Sequence, residues 1–295
     1  MNGKETCAEF LQWALPRLGL AWPGFRRVHR QVCKRIGRRL QTLRLSGPQE
    51  YRPYLESHAD EWAVLDSFCR ISVSRLARDQ IVFQWLARTV LPELAAEARA
   101  RGARVLRCWS AACASGEEPY TLRILWRLEL APRFPDLVLT IVATDIDAEL
   151  LERARLARYR RSSLREVPAA WVDAAFTRSE DWFALRPEFR TGVELRHEDI
   201  RERIPGGLFD LILCCNLVFT YFDAASQRRT LDRMLAVLRP GGVLVTGFKE
   251  RLPKGTTGLV PWAQELGIYR KPPDLELALV SARQNCTAIA RPGAR

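Results

Sequence analysis

RCWSAACASGEEPY (Arg107–Tyr120) is the stretch from which the fold is read. The run Val105–Trp109 predicts a buried strand. A turn of tiny residues follows, and then a helix opened by Glu117 and Glu118. Tiny residues between a strand and a helix let the backbone approach a ligand at the switch point where open α/β sheets bind nucleotides. The first helical turn carries carboxylates and no lysine. It suits a cationic group, such as the ammonium of an amino-acid-bearing nucleoside, rather than a run of phosphates. Gly116 is the single glycine of the stretch, and no Gly-x-x-x-x-Gly-Lys loop occurs, so a dinucleotide site is argued against.

Outward from this stretch, short apolar runs alternate with helical patterns. The runs are Arg104–Trp109, Val138–Thr144, Gly192–His197, Leu211–Cys215 and Val243–Phe248. Such alternation predicts an α/β fold, a parallel sheet with helices on both faces. Within it, Thr177–His197 carries WFALR and VELRH around a turn-like stretch and reads as a small hairpin insertion at 177–197. Upstream the chain reads as all helix. The expected helices are Cys7–Leu18, Phe25–Leu45, Glu50–Ser57, Glu61–Val73 and Asp79–Ala98, the last kinked or restarted at Pro92. Ala100–Ala103 (ARGA) is the expected linker. The domains are therefore read as 1–98, helical, and 99–295, the sheet domain, with a frayed tail at Asn285–Arg295.

The chain has 295 residues, 47% of them hydrophobic, as in ordinary globular proteins. No apolar run reaches about 18 residues, so no membrane insertion is expected. No signal-peptide pattern opens the chain, and a cytoplasmic location is expected. None of the eight cysteines forms a Cys-x-x-Cys pair. This argues against a zinc site or a disulfide framework, and most of the cysteines are expected to be reduced and buried. The net charge is +12, from 46 basic and 34 acidic residues, and only five of the basic ones are lysine. Positive charge is densest over Arg26–Arg44, where Val28, Val32, Ile36, Leu40 and Leu43 recur at helical spacing. One face of that helix is apolar and the remainder basic. Such a surface suits an acidic protein partner. Nucleic acid is disfavoured, because no aromatics are interleaved with the charge.

Four segments resemble the chemotaxis receptor methyltransferase (CheR) family, in order. WSAACASGEEPY resembles that family's WSAGCSTGEEPY. Val142–Glu166, VATDIDAELLERARLARYRRSSLRE, resembles its second motif. Phe209–Leu231 begins FDLILCCNLVFTYFD against FDLIFCRNVLIYFD, and Arg239–Glu250, RPGGVLVTGFKE, resembles LKPGGYLFLGHSE. The resemblance implies a Rossmann-like class I methyltransferase sheet behind a small helical domain. It also implies S-adenosylmethionine as cofactor and a glutamate side chain as methyl acceptor. It places Ala111, Glu118, Asp145, Asp199, Ile200, Asn216 and Leu217 on the cofactor. Glu118 would receive the ammonium, Asp145 the ribose hydroxyls and Asp199-Ile200 the adenine, with Asp147 left to cap the next helix. Ile71–Asp79, ISVSRLARD, resembles Asn-x-Thr-x-Phe-Phe-Arg-Asp. Ser72 and Ser74 then stand at cofactor positions. Arg78 stands near both the methionine part and the acceptor, where a guanidinium would fork onto a carboxylate. Tyr221 would orient the acceptor, or pack as a plain aromatic. A carboxylate acceptor is already ionised at neutral pH, with a reference pKa of about 4.3. No general base is required, and none of the three histidines lies in a matched motif.

The departures fall on the acceptor side. Leu76-Ala77 replaces Phe-Phe, Cys215 replaces an arginine, one residue is added between Asn216 and Tyr221, and Phe248-Lys249-Glu250 replaces His-Ser-Glu. These leave open a protein glutamate (for example on a receptor helix), a small-molecule carboxylate, or regulatory cofactor binding without turnover. Metal ligation is not expected.

Overall fold

The computed structural model describes residues 5–72 and 74–273. The expected tail at 285–295 and Cys286 lie outside the described residues. Five helices open the chain: α1 (Cys7–Ala14), α2 (Trp22–Phe25), α3 (His29–Leu43), α4 (Pro48–Ser57) and α5 (Glu61–Cys69). Helices α6 (Gln80–Trp85) and α7 (Leu91–Ala100) precede β1 (Val105–Ala111), α8 (Glu117–Leu125), β2 (Val138–Asp145) and α9 (Ala148–Leu156). Then come β3 (Arg158–Arg160), α10 (Ala169–Ala175), β4 (Phe176–Ser179), β5 (Trp182–Leu185), β6 (Val193–His197) and β7 (Phe209–Cys214). Helices α11 (Val218–Tyr221) and α12 (Ala224–Val237) lead to β8 (Leu238–Thr246), β9 (Val260–Ala263) and β10 (Ile268–Arg270). The chain falls into two units, residues 1–73 with 216–229, and residues 74–215 with 230–295.

In the second unit a seven-stranded sheet runs in the order β6-β2-β1-β7-β8-β10-β9. The first five strands are parallel, and β10 is antiparallel to both β8 and β9. From β1 the chain moves outward through β2 to β6, then returns to β7 on the other side. The switch point therefore lies between the carboxyl ends of β1 and β7. One face presents Leu106, Cys108, Leu139, Ile141, Leu211, Leu213, Val243 and Val245 to helical residues such as Leu94, Leu122 and Trp126. The other face buries Trp109, Phe209, Ile212 and Leu244. The sheet is thus the expected α/β sheet, with an antiparallel edge that the apolar runs did not announce.

The boundary read at 98/99 differs from this division. Leu86, Val90, Leu91 and Leu94 are buried against the sheet. Each such burial contributes about 1.5–3 kcal/mol, which holds α6 and α7 to the strands. Pro92 restarts the helix rather than ending it. The turn before it, Leu86–Val90, widens to a π turn, and the Leu91 amide donates to the Leu86 carbonyl.

The hairpin is a correction. WFALR supplies β5, which forms a hairpin with the preceding β4, and β3 pairs with β5 to make a separate three-stranded antiparallel sheet. VELRH does not join it. It is β6, paired parallel with β2 from Ile141↔Val193 to Asp145↔His197. Tyr120, Tyr159, Phe176, Leu185 and Phe189 form the core beneath the small sheet. At the amino edge of the main sheet, Asp210 is almost fully buried. It accepts from Arg101, from Arg239 Nε at 3.0 Å and from the Arg107 amide at 2.8 Å.

In the first unit Phe10, Leu11, Phe25, Val32, Ile36, Tyr51, Leu55 and Leu65 are buried. The apolar face expected of the basic helix is present, with Val32, Ile36 and Leu40 turned inward. Glu61, also buried, accepts from Tyr51 Oη at 2.6 Å and from both ends of the Arg39 fork at 2.7 and 2.9 Å. Helix α11 belongs to this unit, because the Ala21 amide donates to the Tyr221 carbonyl at 2.8 Å. Gly24 permits that approach, since a Cβ there would sit 2.2 Å from the Thr220 carbonyl oxygen. Most of the described cysteines are reduced, as expected, but one pair departs from the reading against disulfides. Cys7 of α1 and Cys33 of α3 form a disulfide, with Cα atoms 6.0 Å apart. They are 26 residues apart in sequence, and only the packing of the two helices brings them together. Cys69, Cys108, Cys113, Cys214 and Cys215 remain thiols, the first four of them buried.

Candidate functional site

Strand β1 delivers Ala111 to the carboxyl edge of the sheet, and the following turn is tight. Ala112, Ala114 and Gly116 have φ of +58°, +49° and +86°. A left-handed backbone is cheap for glycine and costs roughly 1–2 kcal/mol for alanine, so surrounding bonds must hold it. The Cys113 amide donates to the Thr144 carbonyl at 2.9 Å and the Gly116 amide to the Cys113 carbonyl at 2.9 Å. Tyr159 Oη donates to the Ser115 carbonyl at 2.7 Å.

Asp145 ends β2 and is 7% exposed. Its Oδ2 accepts from the Ala114 amide at 2.8 Å and its Oδ1 from the Asp147 amide at 2.9 Å. Each carboxylate oxygen has two acceptor directions, so two amides fix the plane of the group. Asp147 caps α9, accepting from the amides of Glu149 and Leu150 at 3.0 and 3.1 Å. The division of labour expected for this acidic pair is the one observed for the cap.

Of the two glutamates that open α8, Glu117 turns inward. It is 3% exposed, and its Oε1 accepts from Ser115 Oγ at 2.9 Å. Burial pushes its carboxyl above the ordinary range. Glu118 is half-buried. Its Oε1 accepts from Ser110 Oγ at 2.7 Å, and the Cys215 thiol is its second hydrogen-bond partner. Burial pushes this carboxyl up as well. The two hydrogen bonds and Arg78 act against the rise, and Glu250 adds to it. Glu250, itself buried, accepts from the Gly247 amide at 2.7 Å just beyond β8.

Arg78 is half-buried between Ala77 and Asp79, whose φ values are +53° and +59°. The Ala77 amide donates to Thr121 Oγ1 at 2.9 Å, and Thr121 Oγ1 donates to the Glu117 carbonyl at 2.6 Å. The arginine's segment is thereby fastened to α8. Leu76, in place of a family phenylalanine, is buried in the core of the small sheet, and Ser74 is half-buried on the same segment. Asp199 and Ile200 follow β6, two and three residues beyond His197, the residue in register with Asp145. Asp199 accepts from the Arg201 amide at 2.8 Å and pairs with its guanidinium at 2.8 Å. The Arg233 guanidinium donates to the carbonyls of Ile200, Arg201 and Glu202.

The second unit thus gathers Ala111, Glu118, Asp145, Asp199, Ile200 and Arg78 at the carboxyl edge of one sheet. Four other expected residues belong to the first unit and are placed there. Ser72 is exposed. Asn216 has φ of +60°, and Leu217, at φ −128° and ψ −78°, opens α11. The ring of Tyr221 packs on Phe25, with centroids 5.0 Å apart. Sequence reasoning missed Ser110 and Cys215 as partners of Glu118. A lone serine inside the apolar run RCWSA was the available signal for the first.

A family model described as CheR methyltransferase, SAM binding domain, matches residues 72–264. A chemotaxis protein methyltransferase of Listeria innocua is 33% identical over 186 residues, which cover 63% of this chain and 68% of that protein. A chemotaxis protein methyltransferase of Escherichia coli strain K12 is 30% identical over 262 residues, 79% of this chain and 86% of that one. Among solved structures, an S-adenosylmethionine-bound amino pentose methyltransferase of Micromonospora echinaspora is 24% identical, covers 57% of this chain and 54% of its own, and has a TM-score of 0.28. The strand order, and not that likeness, establishes the fold. The donor set at the carboxyl edge fits S-adenosylmethionine. Glu118 is held by two neutral donors, a serine hydroxyl and a thiol, neither of which cancels the carboxylate's charge when it is ionised.

Proposed function

This chain belongs to the CheR methyltransferase family, and we propose that it transfers a methyl group to a carboxylate, that of a protein glutamate side chain. S-adenosylmethionine, its cofactor, supplies a methyl carbon made electrophilic by a sulfonium. Glu118 takes the ammonium and Asp145 the ribose hydroxyls, while Asp199-Ile200, Ala111 and Ser74 border the nucleoside. Ser72, Asn216 and Leu217 keep the cofactor roles that the family motif gives them, and Tyr221 that of orienting the acceptor. Arg78 holds the acceptor carboxylate by its fork.

The observation that carries this reading is the pair of held carboxylates, Glu118 in the first turn of α8 and Asp145 at the end of β2, the second of which also holds the Ala114 amide of the tight turn between β1 and α8. Methyl transfer to an ionised carboxylate needs no proton removed. Proximity, orientation and exclusion of water then supply the rate, worth about 7–11 kcal/mol when the reacting atoms are well placed. A protein acceptor is supported by α3, on which Arg30, Lys34 and Arg38 are exposed at helical spacing, none ion-paired among the described residues. Such a ridge attracts an acidic helix over the range of the Debye length. A small-molecule carboxylate is the second reading. It is favoured by Cys215, which removes a cation from the acceptor side and with it about 2–5 kcal/mol of carboxylate binding.

Incubation of the purified protein with methyl-labelled cofactor and a cell lysate tests both. Base-labile label on protein is the expected result, since glutamate methyl esters hydrolyse in alkali. Label confined to small molecules selects the second reading.

A further inference from the structure

We propose that Ser110 and Cys215 are positioning residues that aim the Glu118 carboxylate at the ammonium of the cofactor. This rests on the cofactor reading given above and adds the two residues that make it work.

A glutamate side chain has three free torsions, and ordering it costs up to about 2 kcal/mol. Glu118 leaves the first turn of α8 at the carboxyl edge of the sheet and is only half-buried, so an unheld carboxylate there has several rotamers open to it. Two neighbours prevent that. Ser110 is fully buried on β1, and its hydroxyl donates to Glu118 Oε1 at 2.7 Å. Ser110 is in register with Leu213 of β7, and Cys215 lies two residues beyond Leu213. The ends of adjacent strands at the switch point thus bring a hydroxyl and a thiol to one carboxylate. The thiol's other neighbour is the Val245 carbonyl of β8, at 4.0 Å. Burial and the charge of Glu118 hold the Cys215 thiol protonated, so it acts as a donor.

The chemistry of the donors decides the outcome. The family motif has an arginine at position 215, and this chain has a neutral thiol there. A hydroxyl and a thiol fix the carboxylate without cancelling its charge. Two charged groups act on it from the flanks, Glu250 and Arg78, and they oppose each other.

The test is calorimetric, on the full chain, with two ligands. S-adenosylhomocysteine carries the ammonium. 5′-Methylthioadenosine carries the same nucleoside and lacks the amino-acid part. Ser110→Ala and Cys215→Val each weaken S-adenosylhomocysteine about 5- to 10-fold, within the net cost of losing one ordinary hydrogen bond, and leave methylthioadenosine within about twofold. Cys215→Ser, which restores a donor, returns the affinity to within about twofold of the parent. In a Glu118→Gln background neither substitution has a further effect, because the charge they hold is gone. Equal losses for both ligands, no loss for either, or no rescue by serine overturns the positioning role while the cofactor reading stands. A parent protein that binds neither ligand overturns both.

Discussion

Asp145 Oδ2 accepts a hydrogen bond from the Ala114 amide at 2.8 Å, so the end of β2 holds the turn that follows β1. One carboxylate therefore shapes the loop, and the proposed function gives the same group the sugar hydroxyls. Asp145→Ala is expected to lower affinity for S-adenosylhomocysteine by more than about tenfold. It should also lower folding stability by about 1–3 kcal/mol, the cost of leaving buried amides unmade. Calorimetry and urea denaturation measure the two effects separately. A fall in stability with unchanged affinity rejects the ribose assignment.

Cofactor affinity should depend on pH through Glu118. Its carboxyl is raised by burial, so the folded protein keeps the proton to a higher pH than the unfolded chain does. The stability associated with that proton is full below the unfolded pKa and is lost as pH rises through the folded one. Binding an ammonium has the opposite sign, because it requires the ionised form. Affinity for S-adenosylhomocysteine should climb as pH rises just above the ordinary carboxylate range and then level off. Titrations between about pH 5 and pH 8 should show this climb in the parent protein and a flatter profile in Glu118→Gln. Matching profiles remove Glu118 from the ammonium.

Arg78 is expected to act on the acceptor more than on the cofactor. Arg78→Ala should reduce base-labile labelling at least about 30-fold, the lower end of what a lost charge pair costs. Affinity for S-adenosylhomocysteine should change by less than about threefold. An equal fall in both moves Arg78 to the cofactor.

The Cys7–Cys33 bridge closes a loop spanning 26 residues of sequence. Reduction, or Cys33→Ser, is expected to lower the stability of the first unit by about 2–4 kcal/mol. Thermal melts with and without a thiol reductant check this. Identical melts would mean that the two sulfurs are not bonded in solution.

Asp210 offers a control on the opposite edge of the sheet. Its buried carboxylate gathers Arg101, Arg239 and the Arg107 amide. Asp210→Ala should destabilise by about 2–4 kcal/mol, below the full cost of breaking a buried pair because both guanidinium groups are part-exposed. Affinity for S-adenosylhomocysteine, measured well below the melting temperature, should stay within about twofold.

The sheet was legible where burial on both faces left continuous apolar runs, as in β1, β2 and β7. It was not legible in β9 and β10, which have four and three residues and follow a loop rich in glycine and threonine. VELRH has the alternating character of an edge strand, and alternation does not tell a hairpin partner from the outermost parallel strand; only register with Ile141–Asp145 does. Helices α6 and α7 share the amphipathic pattern of the helices before them, so the pattern could not assign them to the sheet. In the site, Glu118 and Asp145 were readable because strand–turn–helix order fixes where such side chains stand. Ser110, eight residues before Glu118, left only the signal of one polar residue in an apolar run. Cys215 was not readable, because its pairing with Glu118 depends on β7 lying beside β1, a long-range fact. The Cys7–Cys33 bond was hidden for the same reason.

Ala112 stands where the family motif usually has glycine, and it holds φ of +58°. Glycine there would leave the loop free to sample many shapes before a ligand arrives. The alanine methyl narrows that choice while the chain is folding, when the cost is shared with the whole sheet. The cradle is then already stiff at the moment of encounter. Less entropy remains to be surrendered on binding, and the protein should recognise its nucleoside more as a lock than as a glove.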